Sequence, residues 1–478
     1  MSISVNDRET VCKGRFIRTA LTALIVLGLS GCLLVGPNYK RPELNLPEAY
    51  SETGAGAALG VPSDWWRLYR DPALDGLVAS GLQKNADVKL AIARIEEAEG
   101  LIREANATLL PQVDANVAAG RSQSSTRTGT LPASSGALRN NFLVSANTSF
   151  ELDFWGRLRR GREAAVARYA ASRYGRDVVA LTLAAGISQA YFNVRSLDAQ
   201  ILVSEESLGA AAESLDIARK RADAGFTSAL DVNQAQTNRA QLAAQIKELR
   251  RLRAVVVHQL GVLTGMPDLR IDAGDIWQLP VPPLPPEGLP STLLSRRPDV
   301  REAEATLMAA NAQIGIARAE QFPTFSLTGA FGAQSRELAT LFSAGAGIWS
   351  VGLGIVGPVL DWGRYAARTE QAQARAQQAA ALYEKTAQTA FREVADALSN
   401  VRLTAESEQD LSVRVEQTRN TLRLARMRYD AGYSAYLEVL DAQRTLNEAQ
   451  LALARNRQVY LASTVDLMNA LGGGWTPF

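Results

Sequence analysis

The sequence predicts a mainly helical chain made of two repeats, each with a long helical hairpin and two β-strands. Three observations support this fold class. Residues 133–266 and 359–476 contain no proline and are rich in Ala, Leu, Gln, Arg and Glu, which favour helices. Blocks of the first half recur in the second half at a fixed spacing. Short segments in which apolar and polar residues alternate precede the helical stretches.

The proline-free stretches predict four long helices. We expect one helix over residues 157–222 and a return helix over 227–264, and the same pair again over 364–430 and 434–471. At a rise of 1.5 Å per residue, the first would be roughly 100 Å long. Apolar residues at coiled-coil spacing predict where these helices pack against each other. They are Tyr383, Ala387, Ala390, Val394, Ala397, Val401, Leu446, Leu453, Tyr460, Leu467, Leu242, Leu249, Val256 and Leu263.

The duplication is the strongest signal inside the chain. A shift of 207 residues places Trp155 on Trp362 and the predicted turn residue Gly225 on Gly432, where a left-handed glycine ends a helix at little cost. Over 218–236, ten of nineteen residues are identical, whereas average composition gives roughly one or two. Further upstream the shift is 212, so the second copy has lost a net five residues. The Ser-, Thr- and Gly-rich segment 122–140, which we predict to be a loop, is the expected site of that loss.

Four segments are predicted strands. Residues 324–331 place Phe325, Leu327, Gly329 and Phe331 on one face, and 142–151 alternate less cleanly. Residues 113–119 and 348–360 are candidate partners. Segments of about ten residues with this alternation are typical of membrane barrels, and open sheet edges are not tolerated in lipid. The chain is therefore expected to oligomerise: two copies give eight strands around a filled interior, and three give twelve around a lumen.

The N-terminus carries an export and lipidation signal. Lys13, Arg15 and Arg18 precede the apolar run 20–29, which is too short to span a bilayer. The run ends in Leu-Ser-Gly-Cys32, which resembles a bacterial lipobox and predicts lipid on Cys32. The alternative is a secretory signal or short anchor with an incidental cysteine. By resemblance to sorted lipoproteins, a following leucine, rather than aspartate, favours the outer membrane.

The remaining composition argues against several classes of protein. The 51 basic and 49 acidic residues leave a net charge of +2, which gives no reason to expect nucleic-acid binding. His258 is expected to pack or lie on a helix surface, and Glu96-Glu97 to lie on a solvated helix face. The sequence has no Gly-rich phosphate loop, metal-ligand cluster or nucleophile elbow, so we predict neither an enzyme nor a cofactor or metal.

Several motifs, in order along the chain, closely resemble the OprM-like and NodT-like outer-membrane factors of the TolC-like efflux family. They are Gly36-Pro37-Asn38-Tyr39-Lys40-Arg41-Pro42, Asp64-Trp65-Trp66, Asp71-Pro72-Ala73-Leu74, Arg297-Pro298-Asp299-Val300, Asp361-Trp362-Gly363-Arg364, Arg428-Tyr429 with Gly432, the run from Tyr436 to Gln443, and Leu471-Gly472-Gly473-Gly474-Trp475. The likeness covers the whole chain that would follow Cys32.

The resemblance implies a homotrimer with a 12-stranded β-barrel in the outer membrane and a 12-helix periplasmic tunnel, or α-barrel. It also implies a periplasmic adaptor and an inner-membrane pump, usually the proton-driven RND type, with drugs among the small molecules exported. We accordingly divide the chain into a signal peptide, tether and collar segment, first repeat, Pro-rich collar linker, second repeat and tail. Their bounds are 1–31, 32–72, 73–265, 266–297, 298–471 and 472–478, with strands at 111–123, 141–152, 323–335 and 347–360.

The same resemblance implies a periplasmic gate just past the Gly432 turn. Leu437 would form a dry plug, and Glu438 and Asp441 an acidic ring, when three chains meet on one axis. Asp231 is the first-copy counterpart of Glu438. Arg428 and Tyr429 resemble family residues that tether neighbouring helices, whereas Ser434 stands where relatives carry an arginine. Without a gate, these acids would simply favour helix starts, and Arg428 a helix end.

Two other functions fit part of the sequence. A periplasmic scaffold lipoprotein would use the helical hairpins but would not need the strands. A TolC-like duct for type I protein secretion would work with an ABC-type partner, although the lipobox and OprM-like start favour small-molecule efflux.

Overall fold

The computed structural model describes residues 34–44, 47, 62–123, 138–283 and 296–473. The predicted signal peptide and Cys32 lie outside this part of the chain, as do residues 284–295 of the Pro-rich linker and residues 474–478 of the tail. The elements, in chain order, are α1 (Pro72–Lys84), α2 (Ala86–Ala107), β1 (Gln112–Gln123), β2 (Leu138–Leu152), α3 (Arg157–Asp223), α4 (Ala229–Thr264), α5 (Pro298–Ala319), β3 (Thr324–Ser335), β4 (Gly347–Val356), α6 (Arg364–Asp430) and α7 (Tyr436–Ala470).

Two compact units make up the chain. The first takes residues 1–42, 96–170 and 304–381, and the second takes 43–95, 171–303 and 382–478. All four strands belong to the first unit, and both hairpin turns to the second. Within the described residues, no helix is both long enough and apolar enough to cross a membrane.

The four strands form one antiparallel meander in the order β1-β2-β3-β4. Strands β1 and β3 each begin immediately after a proline, Pro111 or Pro323, because proline has no N–H to donate to the ladder. The predicted strand over 347–360 was too long: β4 ends at Val356, two residues before Pro358. The predicted loop over 122–140 was also wrong at both ends, since pairing between β1 and β2 reaches Gln123 and Leu138.

The register gives the sheet one apolar and one polar face. Phe331 pairs with both Ala146 and Trp349, and Leu327 pairs with both Phe150 and Leu353, so these side chains share a face. The apolar face carries Val113, Ala115, Val117, Ala119, Phe142, Val144, Ala146, Phe150, Phe325, Leu327, Phe331, Ala333, Trp349, Val351, Leu353 and Ile355. The opposite face carries Asp114, Asn116, Ser145, Asn147, Ser149, Glu151, Ser326, Thr328, Gln334, Ser350, Gly352 and Gly354.

The bounds of the long helices follow the prediction closely, whereas three of the four packing residues predicted on α7, Leu446, Leu453 and Tyr460, are only half-buried. Helix α6 spans Arg364–Asp430, and its six predicted packing residues from Tyr383 to Val401 are all buried. The return helices begin two residues later than predicted, with Ser228 and Ala435 as N-caps. Along α4 the buried stripe shifts from Leu249 to Val257 and Leu260, and the predicted Val256 and Leu263 are only half-buried. A straight helix has 3.6 residues per turn and drifts away from a strict seven-residue spacing.

The core of the second unit packs α1 and the short segment before it, Trp65–Tyr69, against the hairpin helices. Trp65, Tyr69 and Phe192 are fully buried, and the Tyr69 hydroxyl lies 2.7 Å from the hydroxyl of Thr464. Tyr191 donates to the Asp71 carboxylate at 2.5 Å, and burial together with this bond raises the pKa of Tyr191 above its usual range. These bonds satisfy polar groups that would be costly to bury unpaired.

The duplication extends to individual contacts. Asn85 donates from Nδ2 to the carbonyl oxygen of Leu263 at 3.0 Å, at the end of α4. Arg297, its counterpart at the 212 shift, donates from Nη1 to the carbonyl oxygen of Ala470 at 3.0 Å, at the end of α7. Leu263 and Ala470 are themselves related by the 207 shift. Each repeat therefore caps its last helix from the residue two positions before the aspartate of its Asp-Val motif.

Candidate functional site at the hairpin turns

The two hairpin turns have the same backbone structure. Gly225 and Gly432 have left-handed φ values of 75° and 79°. Phe226 donates its N–H to the carbonyl of Arg221 at 2.8 Å, and Tyr433 donates to that of Arg428 at 2.9 Å. A hydrogen bond that reaches back five residues around a glycine in the left-handed conformation is the Schellman motif, which ends many helices. The turns reverse the chain so that the first residues of α4 and α7 lie beside the ends of α3 and α6.

An apolar cluster of the second unit holds the hairpins together behind the turns. Its centre is Tyr436, with Val439 and Leu440 from the first turns of α7, all buried. The other buried members are Leu215, Ala218, Ala235, Ala425 and Ala442. Burial raises the pKa of the Tyr436 hydroxyl. Since Tyr436, Val439 and Leu440 point into this cluster, the exposed residues among them on α7 point away from it.

The predicted plug and ring residues are those outward positions. Leu437 is 57% exposed, and Glu438 and Asp441 are also exposed. Leu437 and Asp441 are four residues apart and therefore share one face of α7. Asp441 also lines a groove of about 580 Å³ together with Arg426 and Arg444. The described chain thus presents one apolar and two acidic side chains on the surface just past the Gly432 turn.

Arg428 pairs across its own turn. Its Nε lies 3.5 Å from Oε2 of Glu438, and both side chains are more than half exposed. Its first-copy counterpart, Arg221, reaches the other hairpin instead: its guanidinium lies 4.5 Å from the centre of the Tyr429 ring and 3.9 Å from Asp430. The two equivalent arginines therefore have different partners.

Tyr429 is half-buried beside the Gly432 turn. Its ring contacts that of Tyr436 edge-on, with the centroids 5.7 Å apart. In the part of the chain that the structure describes, the hydroxyls of Tyr429 and Ser434 are buried without a hydrogen-bond partner. Most buried side-chain hydroxyls in folded proteins have a hydrogen-bond partner, so these two are unusual.

Asp231 differs from Glu438 although the two are repeat counterparts. It is half-buried and accepts a hydrogen bond from the Thr227 hydroxyl within the first turn of α4. This local bond supports the helix start. In the structure, Glu438 therefore forms an ion pair with Arg428, whereas Asp231 accepts a hydrogen bond at the start of its own helix.

The sequence reasoning missed the exposed apolar residues of the first turn. Leu230, the counterpart of Leu437, is 63% exposed, and Phe226 and Tyr433 form a second exposed pair of counterparts. The 207 shift relates Leu230 directly to Leu437, so the duplication already contained this signal.

Of the other residues singled out by sequence, His258 is exposed on α4, and Glu96 and Glu97 are exposed on α2. No group of His, Cys, Asp or Glu suited to a metal ion occurs among the described residues.

Known proteins resemble this chain along nearly its whole length. The model of the outer membrane efflux protein family matches residues 77–266 and 289–473. The toluene efflux pump outer membrane protein TtgC of Pseudomonas putida is 35% identical over 95% of this chain and 95% of its own. The cation efflux system protein CusC of Escherichia coli O157:H7 is 34% identical over 94% of this chain and 97% of its own.

Solved structures give the same result. The outer-membrane channel OprN superimposes with a TM-score of 0.86 at 30% identity, covering 93% of this chain and 100% of its own. The open-state MtrE channel of Neisseria gonorrhoeae gives a TM-score of 0.82 at 29% identity, covering 92% and 98%. The chain belongs to the outer membrane efflux protein family, and it is the outer-membrane channel of an efflux system.

Proposed function

We propose that three copies of this chain form a passive duct that crosses the outer membrane. The observation that carries this proposal is the amphipathic sheet with two free edges. Strands β1 and β4 end the four-stranded order, so each leaves one side of its backbone unpaired. Unpaired backbone groups cost several kcal/mol each in hydrocarbon, so the edges must meet other strands there.

The apolar face has the length and chemistry of a membrane band. The strands contain 10 to 15 residues, and about 9 to 11 are needed for a tilted crossing. Trp349 and Phe331 lie near one end of the face, and Phe325 lies near the other. Aromatic residues at both interfaces, with aliphatic ones between them, are typical of lipid-facing barrel walls.

The number of chains follows from the width that the barrel interior must have. Two copies would supply eight strands, which leave an interior just wide enough for side chains. Three copies supply twelve strands and leave a lumen lined by the polar face, whose residues are mainly Ser, Thr, Asn, Gln and Gly. The four long helices of each chain then total twelve, enough to wall a periplasmic tunnel.

The start of the described chain supports a lipid anchor at Cys32. Val35 donates its N–H to the carbonyl of Trp155 at 3.1 Å, just beyond the end of β2. Arg41 binds Glu304 through two bonds of 2.5–2.6 Å, and Arg160 donates to Asn38 at 2.8 Å. This segment is therefore fixed to the strand-bearing unit, which supports a lipid on Cys32 inserted in the same leaflet that the sheet reaches.

We place the gate at the hairpin turns. The outward positions of Leu437, Glu438 and Asp441 support a ring of three copies around the axis, with Leu230 as an additional apolar member. Like charges brought close together repel, so the acidic ring needs a counter-charge when shut. Arg428 beside Glu438 supplies one in each copy, and Arg221 with Tyr429 holds the two hairpins of a chain together.

The partners we propose are a periplasmic adaptor and an inner-membrane pump, of the RND type, with small molecules such as drugs as cargo. The relatives' names support this class, because they describe toluene, antibiotic and cation efflux systems. In this scheme the duct supplies no energy and no chemistry, and the pump selects the cargo.

The proposed function is tested by conductance and by efflux. Purified protein in planar bilayers should give low conductance that rises to discrete open steps when the tip is loosened. In cells lacking their own ducts, the chain should lower accumulation of a fluorescent dye only when an adaptor and an RND-type pump are present. Export of an unfolded protein with an ABC-type partner instead would favour the secretion duct. No conductance and no export would favour the scaffold.

A further inference from the structure

The first described residues form a strap, residues 34–42, that runs along α5 within the first unit. Gly36 lies against Gly315, so closely that a Cβ on Gly36 would be 2.6 Å from the Cα of Gly315. Further on, Arg41 donates two bonds of 2.5–2.6 Å to Glu304, which is much earlier in α5. Because α5 leads towards β3, the strap runs away from the sheet, and its first residues are the nearest to the strands.

The strap is almost fully extended along this path. From its contact with Gly315 to its contact with Glu304, it advances five residues while α5 advances eleven. Eleven helical residues span about 16 Å, and five extended residues span about 17 Å. At the same rise, the four residues from Gly36 back to Cys32 would cover about 13 Å, or about nine positions of the α5 helix. Cys32 would therefore be level with residues 322–325, where β3 begins.

Aromatic side chains lie at that level, at the foot of the sheet. Phe154 packs edge-on against Phe325 with the ring centroids 5.0 Å apart, and Trp155 stacks on Phe322 at 4.6 Å. Phe154 and Phe322 are 40% and 38% exposed, and Phe325 belongs to the apolar face of the sheet. We call Phe154, Phe322 and Phe325 the foot patch. It presents partly uncovered rings on the side of the sheet that the proposed duct turns to lipid.

The strap is fixed directly beside the foot patch. Val35 donates its N–H to the carbonyl of Trp155 at 3.1 Å. Leu34 packs over Gly156, where an added Cβ would meet the Leu34 side chain at 3.0 Å. Cys32 is two residues from Leu34, so their Cα atoms are at most about 7 Å apart. A lipid on Cys32 would therefore start within reach of the foot patch.

The positions that hold the strap differ in the other repeat. Arg160 is 1% exposed and donates from Nη2 to the carbonyl oxygen of Gly36 at 3.3 Å, but its counterpart at the 207 shift is Ala367. Gly315 leaves room for the strap, whereas its counterpart at the 212 shift is Arg103. The duplicated chain therefore has a binding place for the strap at one of two otherwise equivalent positions.

The aromatic residues follow the same division. The counterparts of the foot patch are Asp361, Leu110 and Val113. A carboxylate such as that of Asp361 is costly in contact with hydrocarbon. A general aromatic girdle would place rings at both positions, as it does for Trp155 and its counterpart Trp362. The foot patch instead occurs where the strap arrives.

We infer that the acyl chains carried by Cys32 lie on the foot patch of the same chain. The foot patch is then a binding surface for the chain's own lipid, and the lipid, the strap and the start of α3 form one connected piece. This connection holds the foot of the sheet at the depth of the lipid headgroups. The inference rests on the proposed lipidation of Cys32 and adds the place where the lipid binds.

Photo-cross-linking in outer membranes tests this contact directly. The probe p-benzoylphenylalanine, which inserts into nearby C–H bonds on illumination, replaces Phe322 in the full-length protein. Mass spectrometry after digestion should show the probe joined to the N-terminal peptide through an acyl chain. The matched control places the same probe at Leu110, the counterpart of Phe322, where that product should be absent.

The products separate this inference from the proposed lipidation. A mature chain whose mass shows no acyl group overturns both. An acylated chain whose probe at residue 322 joins only phospholipid, or only a neighbouring chain, overturns the inference and leaves the lipidation intact. Equal joining to the N-terminal peptide from residues 110 and 322 would also overturn it, because the lipid would then have no fixed place.

A mutant cycle gives an independent measure. Phe154→Ala is made in the acylated protein and in a Cys32→Ala form that is exported by an ordinary secretory signal. The substitution should lower the unfolding temperature more in the acylated protein, because only there does the ring contact an acyl chain. Val351→Ala, on the same apolar face but away from the strap, should have the same effect in both forms. An equal effect of Phe154→Ala in both forms would contradict the inference.

Discussion

The Nε of Arg428 lies 3.5 Å from Oε2 of Glu438 and joins the last turn of α6 to the first turn of α7 across Gly432. An exposed ion pair of this kind contributes about 0–1 kcal/mol. Three copies acting on one gate would together contribute up to about 3 kcal/mol, which corresponds to a shift of up to about 150-fold in an equilibrium. A weak pair is therefore sufficient to bias a gate without locking it.

Arg428→Ala should raise the open fraction of the duct in planar bilayers by a factor within that range. Removing the guanidinium leaves Glu438 without its counter-charge, in the proposed ring to which three chains would also bring three copies of Asp441. High salt should reduce the difference from the wild type, because the pair is exposed to solvent. Arg423→Ala, at another exposed arginine of α6, is the control. If both variants conduct like the wild type, Arg428 is not a tether.

Leu437→Ala combined with Asp441→Ala should increase leak conductance further. The first change removes apolar volume from the plug, and the second removes charge from the ring. Leu403→Ala with Asp410→Ala makes the same chemical change at exposed positions of α6 far from the turn. Both double variants should keep the thermal stability of the wild type. Unchanged conductance in the Leu437 and Asp441 variant would remove these residues from the gate.

Gly432→Ala should destabilise the protein by about 1–2 kcal/mol, because alanine pays a steric cost at a left-handed φ of 79°. Gly209→Ala is a matched control within helix α3, where a Cβ would meet nothing within 4 Å. This control should stabilise the helix by up to about 1 kcal/mol. Thermal unfolding followed by circular dichroism separates the two. A Gly432→Ala protein as stable as the control would show that the turn does not require glycine.

Cys32→Ala should abolish incorporation of labelled palmitate into the mature chain. Cys12→Ala should leave labelling unchanged, because removal of the signal peptide would take residue 12 with it. The mass of the mature protein provides a second readout, since each acyl chain adds a defined increment. Persistent labelling of the Cys32→Ala protein would exclude lipidation at this position.

Much of the helical architecture was predictable because long helices obey local rules. The absence of proline, the choice of helix-forming residues and the glycines at the turns act over a few neighbouring positions. Helix α6 accordingly begins at Arg364 and ends at Asp430, as predicted. The seam at Val256 was less well predicted, because small drifts of the helical period accumulate along a straight helix.

Strand ends were harder to predict, since pairing rather than local composition decides them. Residues 138–140 end the Ser-, Thr- and Gly-rich segment that predicts a loop, yet they pair with β1. Residues 357–360 continue the apolar run of β4, yet Pro358 interrupts the ladder there.

The residues at the hairpin turns show a similar limit. Their relationship can be read from the sequence, but their partners depend on how the chain packs. The duplication relates Arg221 to Arg428 and Asp231 to Glu438 in sequence. It does not show that Arg221 reaches the second hairpin while Arg428 pairs across its own turn. That difference depends on which hairpin lies beside each arginine, which is a property of the folded chain.

The central claim is that three chains share one wall, and the mass of the intact assembly tests it most directly. Native mass spectrometry of the mature protein in detergent should give a complex of three chains, with β-structure retained in its circular dichroism spectrum. A single-chain mass under the same conditions would contradict the account.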